Sequence, residues 1–518
     1  MKKNIFSLFF LAIIFQTILF SAEFRNGKFY LNVEILPNAE QIHIKSDGKL
    51  YISETDSPFQ LNFFQPDLSI QLTEKPNSEA IWQVGIKKVS SKIEVENFVK
   101  TFPECYFEKT SEITFQNQTI SQSAIFAIYL KEDFVSYEEA KSRCELDGWI
   151  EEKHTFLGNN LGSEILIYDI KNEEEYFLNA PFNIISDEPI SVFQVPKSNF
   201  WNTKKYVDRT YAGNLKILQN PLGKMNLIAN VELENYIAGV VPNEIGETVP
   251  IEAMKAQAIA ARSEALFKIL HNHHKDDEYD LCAGTHCQVF SGISNVNEKV
   301  KTAVNETAYQ ICIYNSKIVN AVYSNNCGGI TTNSSDIWSG KSVPYLVSIY
   351  DGKGNSKVNL QSESNAKNWI LGSQPVFCNT ENDVSWKKNT YQWQEIVSKN
   401  RLEKNLNSIS NFGKLKNIKI TKRGIAGRIL RMKIFGTENN IELNNELKIR
   451  QIFGDLRSSF FIFEIKNDKV IFTGKGSGHG VGMCQMGAIQ MAELGYSAEE
   501  ILKHYYTGIE IKKIKISN

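Results

Sequence analysis

Residues 250–270 carry a clear helix signal, because a proline precedes a long run rich in alanine. The run reads PIEAMKAQAIAARSEALFKIL, in which good helix formers dominate. Pro250 can begin the helix, since the first turn of a helix has no partner for an N–H at that position. Pro242, Asn243 and Gly246 predict a short turn between an apolar strand and this helix. Glu244 lies in that turn, so it is either a solvated carboxylate or a functional one.

Helix and strand patterns mix along the chain without strict alternation, which predicts an α+β, multidomain protein. The length of 518 residues suggests about three domains. We expect a β-rich segment at residues 23–79, a small module at 80–157, a connecting segment at 158–205 and one large mixed α+β domain at 206–515. A lysine-rich insert within the large domain contains WQEIVSKNRLEKNL, which predicts an amphipathic helix.

The small module at residues 80–157 has the predicted order strand–helix–strand, twice over. Its second helix, SYEEAKSRCELDG, opens with a serine at the N-cap position and ends on glycine. This βαββαβ order resembles a SPOR domain, a small module that binds the bacterial cell wall. The same order also occurs in unrelated ferredoxin-like modules, and a fold alone does not settle function.

The first 22 residues predict a secretory signal. Lys2 and Lys3 precede an apolar run from Ile5 to Phe20, and a small residue, Ala22, offers a cleavage point. The run is short for a membrane span, but Phe20 is a poor residue three places from the cut, so an uncleaved anchor is the alternative. We therefore expect an exported protein, periplasmic or associated with the cell wall. The net charge of −2 gives no electrostatic footprint for nucleic acid.

Glycine occupies every second position of GKGSGHGVG, residues 474–482. If this stretch is extended, one face is bare backbone, and another backbone or a flat ligand such as a sugar can approach closely. The stretch does not fit the dinucleotide fingerprint, because Val481 stands where the third glycine should be, and it lacks the Walker pattern. The alternative is a glycine-rich turn in which His479 is incidental.

The stretch HNHHKDDEYDLCAGTHCQVFSG, residues 271–292, concentrates the thiol and imidazole donors that zinc favours. The spacing between Cys282 and Cys287 is not one of the common zinc-finger spacings. In an exported protein a disulfide between these two cysteines is the main alternative.

Four separated blocks, in order, resemble the SpoIID/LytB family of bacterial wall proteins across about residues 206–515. They read VELENYIAGVVPNEIGETVPIEAMKAQAIAARSEA, HCQVFSG, AVYSNNCGGIT and GSGHGVGMCQMGAIQMAELGYSAEEILKHYYTGI. The resemblance implies a lytic transglycosylase acting on glycan strands that have lost their stem peptides. The catalytic glutamate of the family falls on Glu244. Here Ile245 and Gly246 follow it, where the family usually has Met, often then Pro.

The implied chemistry needs only one carboxylate, whereas ordinary glycosidases use two. Glu244 would protonate the leaving glycosidic oxygen and then accept the proton of the 6-hydroxyl of the same sugar, which closes an anhydro ring. The carboxyl must hold its proton near neutral pH, most simply in a partly desolvated site. Val240, Val241, Pro242 and Ile245 could form that apolar wall.

Other residues in the matching blocks are candidates for binding the glycan. Arg262 could hold a muramic lactyl carboxylate through its planar fork, or it could form an ordinary surface ion pair. Lys255, seven residues earlier, could share its helix face. Four further candidates come from the later blocks: Gln288, Ser324, His479 and Gln485.

The resemblance also implies one structural zinc ion, which we assign to Cys282, Cys287 and His274, although spacing alone does not separate His274 from His273. Two rival functions remain open. One is a non-catalytic enhancer of a wall amidase, as LytB-type relatives look to be. The other is a zinc-dependent amidase or peptidase with a catalytic metal. The predicted partners are peptidoglycan glycan strands and, for the enhancer, a wall amidase or division proteins.

Overall fold

The computed structural model of the chain describes residues 23–516 except for short gaps. The gaps are residues 26, 55–59, 74–77, 90–91, 117, 132–139, 141–142, 144–148, 157–163, 198–204, 221, 275–276, 339–341, 355 and 380–389. The predicted signal segment at residues 1–22 and nearly all of the predicted helix at residues 136–148 lie outside the described residues.

Strands dominate the N-terminal part of the chain. In chain order they are β1 (Glu23–Arg25), β2 (Lys28–Ala39), β3 (Gln41–Ser46), β4 (Lys49–Glu54), β5 (Gln60–Phe64), β6 (Asp67–Leu72), β7 (Ser78–Val89), β8 (Cys105–Gln116), β9 (Thr119–Leu130), β10 (Trp149–Phe156), β11 (Ile165–Asp169), β12 (Glu174–Leu178), β13 (Phe182–Ser186), β14 (Ile190–Lys197), β15 (Lys205–Tyr211), β16 (Asn214–Gln219) and β17 (Met225–Glu232).

Two antiparallel sheets contain most of these strands. One has the order β1-β2-β17-β16-β13-β4-β5 and the other the order β12-β11-β6-β3-β14-β15. Strands such as β3 alternate buried and exposed residues, as strands with one solvated face do. Buried side chains of both sheets, among them Leu31 and Ile44, belong to one hydrophobic core. The first sheet therefore crosses the domain boundaries predicted at residues 79/80 and 205/206.

The strands at residues 78–156 lie in a third, five-stranded sheet, in which β10 pairs with β7, β7 with β9 and β9 with β8, and the C-terminal strand Lys515–Ile516 pairs parallel with β9. Helix α1 (Lys92–Thr101) follows β7, and its Val95 is buried with Cys105 and Ile128 in a small core. The described residues thus give strand, helix, strand, strand and a final strand, in the predicted order. The SPOR-like identity of this module stays a prediction.

The remaining helices are α2 (Leu233–Glu244), α3 (Ile251–Leu270), α4 (Glu298–Glu306), α5 (Ser334–Ile337), α6 (Glu363–Leu371), α7 (Lys399–Asn407), α8 (Glu446–Ile452), α9 (Gln485–Glu493) and α10 (Ala498–Tyr505). The remaining strands are β18 (Leu281–Cys282), β19 (Gln310–Tyr314), β20 (Lys317–Ile318), β21 (Tyr323–Ser324), β22 (Gln392–Ser398), β23 (Leu415–Arg423), β24 (Ile429–Gly436), β25 (Asn440–Leu443), β26 (Phe461–Lys466), β27 (Lys469–Lys475), β28 (Met483–Cys484), β29 (Glu510–Lys513) and β30 (Lys515–Ile516). The α+β class is confirmed. Among the described residues, no helix has the length and apolar character needed to cross a membrane.

The predicted helix at residues 250–270 is confirmed as α3, with Pro250 as its N-cap. Most of its residues are buried, because α2, α4, α9 and α10 pack around it. A helix that is largely apolar on all sides belongs in the centre of a domain. This helix is therefore the element against which the neighbouring helices are positioned.

The predicted turn before α3 is displaced: the apolar strand β17 ends at Glu232, helix α2 follows up to Glu244, and the chain turns only after that residue. Pro242 lies inside this helix, although it lacks the N–H that a helix interior normally uses. Val240 and Val241 are fully buried in the main core, and the Asn243 side chain donates to the Gly239 carbonyl at 2.7 Å. Tertiary packing and this local hydrogen bond outweigh the proline.

The amphipathic helix predicted for WQEIVSKNRLEKNL is confirmed only in its second half. The first half is strand β22, which pairs antiparallel with β27, and the helix α7 begins after Ser398. The Ser398 side chain accepts from the Arg401 N–H and caps the helix. Strands β22–β27 with α7 and α8 enclose a second hydrophobic core, which includes Trp393 and Phe461.

Candidate active site

Glu244 is the last residue of helix α2 and is partly exposed. Its Oε1 accepts a hydrogen bond from the Val289 N–H at 2.9 Å. Gly246, two residues later, has φ +105°, a conformation that glycine adopts without strain. The chain can therefore turn sharply after Glu244, and the carboxylate is held against the segment that contains Val289.

Gln288 is buried close to Glu244 and hydrogen-bonds to several side chains of the site. Its Oε1 accepts from the Tyr236 hydroxyl at 3.1 Å, and its Nε2 lies 3.1 Å from the Tyr323 hydroxyl. The same Nε2 lies 3.3 Å from Oε2 of Glu264. Burial raises the pKa of Tyr323 well above its usual range, and the charge of Glu244 adds to this effect. Tyr323 therefore remains a neutral hydroxyl donor next to the candidate acid.

Glu264, on helix α3, is a second carboxylate in this network. Burial raises its pKa, an effect that the neighbouring Lys268 partly offsets. Lys268 Nζ lies 2.9 Å from Glu264 Oε1. Sequence reasoning missed Glu264, Tyr236 and Tyr323 as parts of the site. The spacing of Glu264 and Lys268, four residues apart on a predicted helix, was the one available signal.

His479 contacts Tyr323, and Trp338 contacts His479 in turn. The His479 ring hydrogen-bonds to the backbone of Tyr323, and its centroid lies 5.0 Å from that of Trp338. Burial lowers the pKa of His479 to about 3, with Arg428 as the next contributor, so the imidazole is neutral near pH 7. Trp338 is 44% exposed and offers an aromatic face. Tyr323 thus connects the Gln288 network, through His479, to an exposed aromatic ring.

The glycine-rich stretch is not extended, which corrects the predicted conformation. β27 ends at Lys475, and Gly476, Gly478, Gly480 and Gly482 all have positive φ. A Cβ at Gly482 would lie 2.0 Å from the Val322 carbonyl oxygen, and one at Gly476 would lie 2.8 Å from the Asn326 carbonyl oxygen. Close approach of another backbone is confirmed, and that backbone is the protein's own segment at residues 322–328.

Arg262 does not line the site, which contradicts its predicted role in binding substrate. Its side chain is fully buried, and its Nε and NH2 form a paired contact with the Glu234 carboxylate at 2.9 and 2.5 Å. Its NH1 also donates to the Gln310 carbonyl at 2.9 Å. The planar fork is therefore used within the core, where it ties helix α3 to α2.

Two other predicted binding residues are also engaged in contacts within the protein. Lys255 Nζ lies 2.8 Å from Glu252 and 2.5 Å from Glu306, and so it lies in an ion-pair network. Gln485 is buried, and its Nε2 donates to Gln257 at 3.3 Å. These contacts do not favour the predicted substrate-binding roles of Lys255 and Gln485.

Ser324 is buried in β21, which pairs parallel with β28. A Cβ added at Gly478 would lie 3.1 Å from the Cβ of Ser324, so the glycine-rich stretch packs directly on Ser324. Of the predicted binding residues, Gln288 and His479 therefore remain at the site: Gln288 directly precedes Val289, which binds Glu244, and His479 hydrogen-bonds to the backbone of Tyr323.

The structure also gathers the predicted metal ligands. His274 Nε2 lies 3.1 Å from Cys287 Sγ, and Cys282 Sγ lies 3.6 Å from Nδ1 of His286, a residue that was not among the predicted ligands. Tetrahedral zinc with its usual bond lengths separates a nitrogen from a sulfur ligand by roughly 3.6 Å. The donor set and its spacing therefore fit zinc.

Further contacts favour His274 over His273 within this cluster. His274 Nδ1 lies 2.7 Å from Asp277 Oδ2, the type of outer-shell carboxylate that orients metal-bound histidines. His273 is exposed and stacks on His286 with centroids 4.6 Å apart. Cys282 and Cys287 are free thiols in the described structure.

The cysteine–histidine cluster is directly connected to the candidate acid. Cys287, Gln288 and Val289 are consecutive, and they contact His274, the two tyrosines and Glu244 respectively. The Lys268 ammonium donates to the Cys287 carbonyl at 2.8 Å and so braces the same segment. Anything that fixes the Cys287 thiol will therefore also fix the N–H that binds Glu244.

Comparison with known proteins adds evidence of relationship. A family described as Stage II sporulation protein matches residues 222–314, and a domain of unknown function, DUF8618, matches residues 332–482. An uncharacterised protein of Brachyspira hyodysenteriae is 31% identical over 309 residues, which cover 58% of this chain and 72% of that protein.

Two named relatives extend the comparison. Stage II sporulation protein D of Bacillus amyloliquefaciens is 26% identical over 55% of this chain and 76% of its own length. The amidase enhancer of Bacillus subtilis is 28% identical over 52% of this chain, and the match covers only 39% of that longer protein. Together with the ordered sequence blocks and the geometry around Glu244, these matches show that the chain belongs to the SpoIID/LytB family.

Proposed function

We propose that this protein is a peptidoglycan lytic transglycosylase in which Glu244 is the only acid and base. One observation carries the proposal. The second carboxylate of the site, Glu264, has one oxygen paired with Lys268 and the other with Gln288, and it is only 7% exposed. It is therefore not available to activate a water molecule, as the second acid of an ordinary glycosidase must. A reaction that needs one carboxylate fits this site better.

In the proposed reaction the bond between the anomeric carbon and the bridging oxygen breaks. Glu244 gives its proton to that oxygen, which leaves as the hydroxyl of the departing sugar. The 6-hydroxyl of the remaining muramic residue then bonds to the anomeric carbon and gives its proton to Glu244. The products are an anhydro end and a free hydroxyl, no water is consumed, and Glu244 returns to its protonated form.

The neighbouring groups would hold the sugar for this step. Because Gln288 can direct an amide hydrogen to the Tyr323 oxygen, the Tyr323 proton is available to an acceptor in the site. Trp338 and the neutral His479 offer flat surfaces of the kind on which a sugar ring can pack. Arg262 takes no part in this arrangement.

The predicted zinc ion is proposed as a structural element, held by Cys282, Cys287 and His274, with His286 as a fourth ligand. Bound there, zinc would supply folding free energy and rigidity to the loop. The Cys287 backbone then continues through Gln288 to Val289, whose N–H binds Glu244. A zinc-dependent amidase or peptidase, the third possibility, would instead need an open metal position facing a substrate.

The second candidate function is that of a non-catalytic enhancer of a wall amidase. The relative named amidase enhancer favours it. In that case Glu244 would serve binding rather than proton transfer, and the partner would be an amidase. For both candidate functions we infer from the signal pattern in residues 1–22 that the protein is exported and acts in the periplasm or at the cell wall.

The deciding experiment incubates the purified chain with two substrates: glycan strands stripped of stem peptides, and intact peptidoglycan with and without an added wall amidase. We expect anhydro-ended fragments from the chain alone, each lighter by one water molecule than a hydrolysed fragment. Reducing-end fragments would indicate a two-carboxylate hydrolase. Uncleaved glycan strands, together with faster amidase turnover on intact peptidoglycan, would favour the enhancer. Release of stem peptides from intact peptidoglycan by the chain alone, abolished by chelation, would favour the zinc hydrolase.

A further inference from the structure

A second cluster of metal-type ligands lies away from the cysteine–histidine loop. It contains Cys327, Asp351, Cys378 and Cys484, all of which are buried. One ligand atom from each lies within 4.8 Å of the corresponding atom of every other member. The proposed reaction uses none of these groups, and a buried carboxylate among three buried thiols calls for a compensating charge.

The spacing inside this cluster matches a tetrahedral metal centre. Cys327 Sγ lies 3.7 Å from Cys378 Sγ and 3.3 Å from Asp351 Oδ2. Zinc with bond lengths of about 2.3 Å to sulfur and about 2.0 Å to oxygen places two thiolates about 3.8 Å apart and a thiolate and a carboxylate oxygen about 3.5 Å apart. A disulfide would need the two sulfurs at about 2.0 Å.

We propose that Cys327, Asp351, Cys378 and Cys484 form a second, structural zinc site. Soft thiolate ligands in a closed, four-coordinate set select zinc among the common divalent ions. All four positions are filled by protein and all four residues are buried, so the site leaves no open position for a substrate.

The surroundings supply the hydrogen bonds that such ligands need. The Cys327 N–H donates to Cys484 Sγ at 3.2 Å, and the Cys378 N–H donates to Asp351 Oδ2 at 3.0 Å. The Tyr505 hydroxyl donates to Asp351 Oδ1 at 2.7 Å. Outer-shell donors of this kind orient metal ligands and spread their negative charge.

Two features of helix α9 support the same assignment. Cys484 immediately precedes the helix, where the positive end of the helix dipole favours a thiolate. Gly487 lies in the first turn, and a Cβ there would lie 2.6 Å from Asp351 Oδ1 and would also collide with the Tyr505 hydroxyl. Only glycine at this position lets the carboxylate reach the cluster.

The site would brace the structure behind the candidate acid. Cys484 lies in β28, which pairs parallel with β21, so that Met483 is opposite Tyr323 and Cys484 is opposite Ser324. A metal on Cys484 and Cys327 would therefore tie β28 to the segment that follows β21. This inference goes beyond the proposed function, because it concerns folding and does not depend on glycan cleavage.

The test measures zinc per chain in full-length protein purified without chelators, by elemental analysis and native mass spectrometry. The Cys282→Ser/Cys287→Ser variant removes two thiolates from the first cluster and leaves this one intact. We expect two zinc ions in the wild type and one in that variant. In cobalt-substituted wild type, five thiolates should contribute to the thiolate-to-cobalt absorption, and three of them should remain in the variant.

The Cys378→Ser/Cys484→Ser variant should lose the zinc ion of the second site. Cys312 is a buried thiol outside both clusters, so Cys312→Ala should keep both zinc ions. If Cys378→Ser/Cys484→Ser fails to fold, the zinc content of the wild type and of Cys282→Ser/Cys287→Ser still shows whether the second site binds metal. A Cys327–Cys378 disulfide in the wild type, found by peptide mapping, would overturn the proposal. So would the absence of metal from the Cys282→Ser/Cys287→Ser variant when zinc is supplied in excess.

Discussion

Replacing Arg262 should destabilise the fold and leave substrate affinity unchanged. Arg262 is fully buried, and its guanidinium is paired through two nitrogens with Glu234. Glu234 also accepts the Tyr309 N–H at 3.1 Å. In Arg262→Met, the Glu234 carboxylate keeps that bond but loses its counter-charge inside the protein. The Gln310 carbonyl loses a donor as well.

The expected loss of unfolding free energy follows from the burial of the Arg262–Glu234 ion pair. Removing one partner of a buried ion pair leaves an uncompensated charge and costs about 3–5 kcal/mol of unfolding free energy. Glu234→Gln removes the charge and keeps an acceptor for Tyr309. The double variant should therefore lose less than the sum of the two single variants, with a coupling of roughly 1–3 kcal/mol.

Guanidinium unfolding of the four proteins measures these energies, and glycan cleavage at varied substrate concentration measures KM on the folded proteins. Lys503→Met is the matched control, because Lys503 pairs with Glu499 at 2.6 Å on the exposed surface and should leave the midpoint unchanged. A several-fold increase in KM for Arg262→Met, with an unfolding midpoint equal to that of the wild type, would refute this account and restore Arg262 as a substrate ligand.

Three further predictions concern the cysteine–histidine loop, two glycines with positive φ and the module at residues 78–156. Removing zinc from Cys282, Cys287 and His274 should lower the melting temperature and reduce turnover only secondarily; turnover lost at an unchanged melting temperature would instead indicate a catalytic metal. Gly480→Ala should cost roughly 1–3 kcal/mol more than Gly495→Ala in chemical unfolding, because both glycines have positive φ but only the first Cβ would meet a neighbour, Arg428 at 2.2 Å. A chain lacking residues 78–156 should bind denuded glycan less tightly in sedimentation assays while retaining its cleavage products, and unchanged binding would leave the module as a spacer or docking element.

The sequence predicted those elements whose signal is local. Helix α3 follows from Pro250 and a run of helix formers, and strands such as β2 follow from alternating apolar residues. Helix α2 was missed because VVPNE combines β-branched residues with proline, and only packing against α3 makes it helical. The glycine-rich stretch was misread as extended because composition does not reveal φ.

In the candidate site, too, residues with a local sequence signal were predicted, and residues placed by tertiary contacts were not. Glu244 and Cys287 stand in recognisable blocks, Cys282 and His274 belong to the cysteine–histidine stretch between the first two blocks, and the structure places all four in one connected region. The role of Arg262 could not be predicted, because its partner Glu234 lies 28 residues earlier on another helix. Tyr323 and Glu264 both contact Gln288, and these are contacts between distant segments that no local pattern encodes.

The most direct test of the central claim compares Glu244→Gln with the wild type on denuded glycan strands. The amide keeps the shape of the side chain but cannot transfer the proton, so the rate of anhydro-product formation should fall by roughly 10²–10⁴-fold. Glu247→Gln, an exposed glutamate three residues further on, is the matched control and should retain the wild-type rate. Anhydro product formed at a near-normal rate by folded Glu244→Gln would contradict the account.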